Sequence, residues 1–128
     1  MPTVAYTPQL QSEYQRLFDT CIINPDKYTE VNSIVKKIAT NNARYQQVAN
    51  VVNVPWYFIG ILHAMESGND FKTHLYNGDP LTARTVNVPA GRPKTGNPPF
   101  EWEFSAIDSL IYDSLDTWYD WSIPGILY

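Results

Sequence analysis

The sequence predicts an α+β fold that is mainly α: helices gathered around a buried central helix, with a small β-hairpin attached. Three observations carry this expectation. Apolar residues recur at helical spacing in five segments. One of these, 55–67, is apolar on nearly every side, as a central helix is. Between it and the last periodic segment lies a turn-rich stretch, 69–99, in which β-branched residues alternate.

The first helix is expected over 8–21. Thr7-Pro8 gives a start with proline in the first turn, and Leu10, Tyr14, Leu17, Phe18 and Cys21 follow at helical spacing. Asn24-Pro25-Asp26 breaks it. A second helix spans 28–40 with Val31, Ile34, Val35 and Ile38 on one face. A third, 42–52, carries Tyr45, Val48 and Val52. Asn53-Val54-Pro55 reads as the cap and first turn of the fourth, 55–67. His63 and Glu66 are the only ionisable side chains that helix has besides Tyr57.

Turn formers then crowd together: Asn77-Gly78-Asp79-Pro80, Pro89-Ala90-Gly91-Arg92-Pro93 and Gly96-Asn97-Pro98-Pro99. Thr82, Arg84, Thr85, Val86 and Val88 alternate between them, so 69–99 reads as a β-ribbon with long loops. A fifth helix is expected over 101–116, with Trp102, Ala106, Ile107, Leu110, Ile111 and Leu115 inward. Ser122-Ile123-Pro124 resembles another helix start. The apolar end either packs onto the core or marks a fragment truncated at its C-terminus.

A chain of 128 residues suits one domain, 1–128, with one core. The formal charge of −4 argues against nucleic acid, which is bound by neutralising phosphates with Lys and Arg. Cys21 is the single cysteine and His63 and His74 the only histidines, so neither a disulfide nor a metal site is expected, and no cofactor. No apolar run has the length of a bilayer span, so no membrane partner is expected. The N-terminus lacks the basic region and apolar core of a signal peptide. The expectation is a monomer, either made in the cytosol or freed of a leader.

Glu66 carries the chemistry. It closes the apolar helix just before Gly68. A helix C-terminus carries partial negative charge and disfavours a glutamate by about 0.3–1 kcal/mol. An acid kept there has a partner or a task. Cleavage of a glycosidic bond needs a group that protonates the leaving oxygen, and usually a carboxylate that activates water or attacks carbon. The apolar helix before Glu66 and the negative helix end both favour its protonated form. Asp79, in a polar turn, is expected to stay ionised.

Glu66-Ser67-Gly68 closing an apolar helix, followed by a ribbon with Asp79 and a threonine, resembles the lysozyme-like superfamily. That group includes goose-type and phage-type lysozymes, lytic transglycosylases and chitosanases. Segment 54–102 is also similar to bacterial and phage lysozyme-like proteins. The shared features are the Met65-Glu66 helix end, the Asn77-Gly78-Asp79-Pro80-Leu81-Thr82 turn and the Val88-Pro89-Ala90-Gly91-Arg92-Pro93 loop. The resemblance implies a lysozyme-like helical domain. Glu66 would be the general acid, and Asp79 would activate water that Thr85, or alternatively Thr82, helps to hold. Glu66-Ser67 also matches the Glu-Ser pair of transglycosylases, which work with one acid.

The expected substrate is a β-1,4-linked amino-sugar polymer, peptidoglycan before chitin or chitosan. Action on a cell wall outside the membrane would follow, the protein being secreted after processing or phage-encoded and released, with a separate wall-binding domain as a further expected partner. His74, Tyr76, Asn77, Thr82 and Arg84 are the expected sugar contacts. Plainer readings stand beside these: Asp79 as a turn former, the threonines as ribbon residues, His63 as a core histidine, Arg84, Arg92 and Lys94 as a solvated loop. A non-catalytic glycan-binding module is the competing function.

Overall fold

The computed structural model describes residues 4–128 and is mainly helical. Six α-helices follow in order: α1 Pro8–Thr20, α2 Tyr28–Thr40, α3 Asn42–Val52, α4 Trp56–Ser67, α5 Trp102–Tyr112 and α6 Ile123–Leu127. Thr7 caps α1 through its hydroxyl, which accepts from the Leu10 amide, and Pro8 occupies the first turn. Ser122 caps α6 in the same way, with Pro124 in its first turn.

The core lies where α3 packs against both α4 and α5. Tyr45, Val48 and Val52 from α3 meet Ile59 from α4 and Trp102, Ala106 and Leu110 from α5. Leu75 and Leu81 from the 69–99 segment, and Phe100 just after it, close it. Helix α2 reaches this core through Ile38, and Gly60 of α4 permits the approach. A Cβ at Gly60 would lie 2.5 Å from Ile38 Cγ2.

Four expectations need correction. Asn53 caps the end of α3 rather than the start of α4; it adopts a left-handed φ of 56°, which asparagine tolerates better than most residues. The α5 helix stops at Tyr112, because Ser114 turns left-handed and Leu115–Thr117 continues as a 3-10 turn. The central helix α4 is covered on one side only. Ile59, Gly60 and His63 are buried, whereas Tyr57, Ile61 and Met65 are exposed, because no element among the described residues covers that face.

The fourth correction is the β-hairpin. Among the described residues, 69–99 contains no strand and one isolated bridge, Thr73 to Pro80. Side chains satisfy the backbone there in place of a ladder. The Asp79 carboxylate accepts from the Val86 and Asn87 amides, and the Arg84 guanidinium donates to the carbonyls of Pro93, Thr95 and Gly96. Prolines at 80, 89, 93, 98 and 99 bring no N–H of their own.

Candidate active site

The α4 helix ends in two successive left-handed residues, Gly68 (φ 61°) and Asn69 (φ 61°). The Gly68 amide donates to the Ala64 carbonyl and the Asn69 amide to the His63 carbonyl, both at 3.2 Å. This pairing satisfies carbonyls that a helix end otherwise leaves open. Glu66 sits in that last turn and is exposed, so the apolar helix does not enclose its carboxyl as expected. Among the described residues its carboxylate makes no hydrogen bond or ion pair.

The Asn77–Asp79 turn lies against this helix end. A Cβ at Gly78 would stand 3.5 Å from the Glu66 carbonyl oxygen and 3.9 Å from Ser67 Cβ. The turn is built by its own side chains: the Asp79 amide donates to Asn77 Oδ1, and Asn77 Nδ2 donates to the carbonyls of Asn87 and Val88. Asp79 is 8% exposed, and three donors surround its carboxylate. The Asn87 amide at 3.0 Å does most to hold this carboxyl below the usual range, joined by the Asn87 side chain at 2.7 Å and the Val86 amide at 2.9 Å. Asp79 is thus an ionised group, and the anchor of the 85–88 turn.

The other expected contacts are placed as follows. Thr85 is buried; its hydroxyl donates to the Pro89 carbonyl and accepts from the Arg92 amide, so both functions are engaged in the loop. Thr82 is exposed. His74 is wholly buried, so it is not a surface contact for sugar. Its Nε2 lies 2.7 Å from the Ala83 carbonyl and its Nδ1 2.6 Å from Ser105 Oγ. A carbonyl only accepts, so Nε2 donates to Ala83, and Nδ1 pairs with the serine hydroxyl. His74 therefore ties the loop to α5. Arg84 spends its guanidinium on loop carbonyls and lies 5.3 Å over the Phe100 ring. Tyr76 is half-buried, and its hydroxyl accepts from Arg92. Arg92 is in turn paired with Asp108 at 2.9 Å.

Among these residues the structure brings Glu66, Asn77 and Asp79 to neighbouring backbone, and it commits His74, Arg84 and Thr85 to holding the loops. Sequence reasoning missed Tyr45, Asn69 and Asn87 as organisers of the site. Tyr45 counts toward helical periodicity whether or not its hydroxyl has a partner. For Asn69, the Gly68-Asn69 pair was a usable signal of a left-handed helix exit. The largest hollow described, about 520 Å³, lies elsewhere, lined by Phe58, Leu62, Leu115, Trp118, Trp121 and the α6 tail. The indole Nε1 of Trp121 is buried without a partner beside it. No family model matches the chain, and neither a curated protein nor a solved structure matches it.

Proposed function

We propose that this domain cleaves the glycosidic bonds of β-1,4-linked amino-sugar polymers, peptidoglycan foremost, with Glu66 as the general acid. One observation carries the reading. Glu66 is an exposed carboxyl, without a partner among the described residues, at a sharply terminated helix end, beside a turn whose own carboxylate, Asp79, is held ionised. Two carboxyls in unlike surroundings are what acid-assisted glycoside cleavage requires. A sugar chain lying over Glu66 displaces water from the carboxyl and brings it to the glycosidic oxygen.

In this reading Asp79 keeps the 85–88 turn in place and offers the lone pair its three donors leave free. Water activation by Asp79, with Thr85 behind it, is the two-carboxylate form of the mechanism. The one-acid form needs Glu66 alone. Replacing Glu66 by Gln abolishes release of reducing ends and clearing of cell-wall suspensions, while glycan binding persists. Cleavage at the wild-type rate by Glu66→Gln would falsify the assignment. Asp79→Asn separates the two forms: survival of turnover in a folded variant favours the one-acid form. Parallel assays on chitosan and on cell walls distinguish the polymers.

The second reading is a glycan-binding module, favoured by the aromatic-walled hollow and its unpaired Trp121 indole. It expects wild-type protein to bind glycan without turnover. It also expects Trp118→Ala to lose binding and Glu66→Gln to keep it.

A further inference from the structure

We infer that a buried chain of hydrogen bonds, Asn69 to Tyr45 to His63 to the Asp70 carbonyl, is the device that positions Glu66 for its reaction. The inference rests on the reading of Glu66 as an acid.

The geometry of the chain is closed. Asn69 Nδ2 donates to the Tyr45 hydroxyl at 2.9 Å and to the Gly60 carbonyl at 3.1 Å. The Tyr45 hydroxyl lies 2.8 Å from His63 Nδ1. His63 Nε2 lies 3.0 Å from the Asp70 carbonyl oxygen. That carbonyl can only accept, so Nε2 bears the proton and Nδ1 accepts from the tyrosine. The tyrosine oxygen is then free to accept from Asn69. Every polar group finds one role, and only the neutral imidazole with its proton on Nε2 fits them all.

This chain runs through an apolar place. Tyr45 and His63 are fully buried, and their rings meet Phe71 and Trp102 at centroid distances of 4.7–5.6 Å. Apolar residues of matching shape would serve stability there about as well. What hydrogen bonds add is direction: they fix a single arrangement, where apolar packing tolerates several.

The arrangement they fix is the exit from α4. Asn69 is held left-handed with its side chain folded back onto Gly60, and Asp70 is drawn onto His63. Glu66 lies inside both spans these bonds close, Gly60 to Asn69 and His63 to Asp70. Its own carboxyl has no partner among the described residues, so its aim depends on the backbone that carries it. A displacement on the order of 1 Å at a reacting group costs up to about a hundredfold in rate.

Two variants isolate the hydrogen bonds. Tyr45→Phe keeps the ring and removes the hydroxyl. Asn69→Gly keeps the left-handed backbone and removes the amide. Turnover on cell-wall glycan is measured for each, with thermal melting and amide exchange of residues 66–70. The expected result is a kcat lower by about tenfold to a hundredfold in both variants with KM unchanged. The double variant is expected to be little worse than either single one. A kcat at the wild-type value in either variant, or a loss that appears in KM alone, overturns the inference. Should wild-type protein cleave no glycan, the Glu66 reading fails by itself. The positioning is then decided by exchange: faster exchange at 66–70 beyond any change in global stability sustains it, and unchanged exchange overturns it.

Discussion

At the residue scale, the ionisable groups have separate tasks, and pH reports them. Burial holds the His63 imidazole below its ordinary value of 6.5, and the Asn87 and Val86 amides hold Asp79 below 3.8. In each case the unfolded chain takes up a proton before the native one does. Stability therefore rises with pH across the interval from the lowered native value to the ordinary one. Denaturant unfolding should show one loss as pH falls below 6.5 and another below 3.8. The His63 ring protons should titrate below 6.5 in NMR spectra. Asp108 and Asp113, raised by burial, act with the opposite sign: between their raised native values and 3.8 they add stability as pH falls, ahead of the second step. Replacing Asp79 by Ala strands the Val86 and Asn87 amides and should cost about 1–3 kcal/mol in thermal unfolding. A melt unchanged from wild type would show that the 85–88 turn does not need this carboxylate.

At the element scale, the helices were legible and the loop was not. Periodic apolar residues and the Thr7-Pro8 start gave α1 to α4 within a residue or so, and Ser122-Ile123-Pro124 marked where α6 begins, because helix ends are written in local chemistry. The segment 69–99 misled because alternation of Thr85, Val86 and Val88 is the sign of a ribbon only when backbone pairs with backbone. Here Asp79, Arg84 and Thr85 take the backbone's partners instead, and such long-range side-chain bonds leave no periodic trace. Glu66 was legible as a helix-end acid, whereas its exposure depended on which elements cover α4. The α2–α4 contact makes a sharper forecast. Gly60→Ala must push a Cβ into buried, stiff Ile38, so overpacking outweighs the gain in helix propensity. A loss of about 1–3 kcal/mol is expected, and the Gly60→Ala, Ile38→Leu pair, which removes the Cγ2 branch, should recover part of it.

At the scale of the whole molecule, the two ends of the chain hold each other. The principal packing of α1 is against α6, and no residue of α1 is buried. Tyr6 stacks near Trp118 and Tyr128 at 5.4 and 4.7 Å, and its hydroxyl bonds to Asp120. Desolvation, reinforced by Asp120, pushes the Tyr6 phenol up to about 12. Trp118→Ala should loosen this clasp, speeding amide exchange across α1 while α3, α4 and α5 keep their protection. Equal acceleration everywhere would mean that the clasp and the core unfold together. The same clasp sets an order of events during synthesis. Helix α1 leaves the ribosome ahead of every other described helix, yet its seat, residues 118–128, is made last of all the described residues. Leu10 and Tyr14, half-buried once α1 is seated, therefore travel uncovered while the α3–α5 core assembles behind them, and the earliest of the described helices is the last one docked.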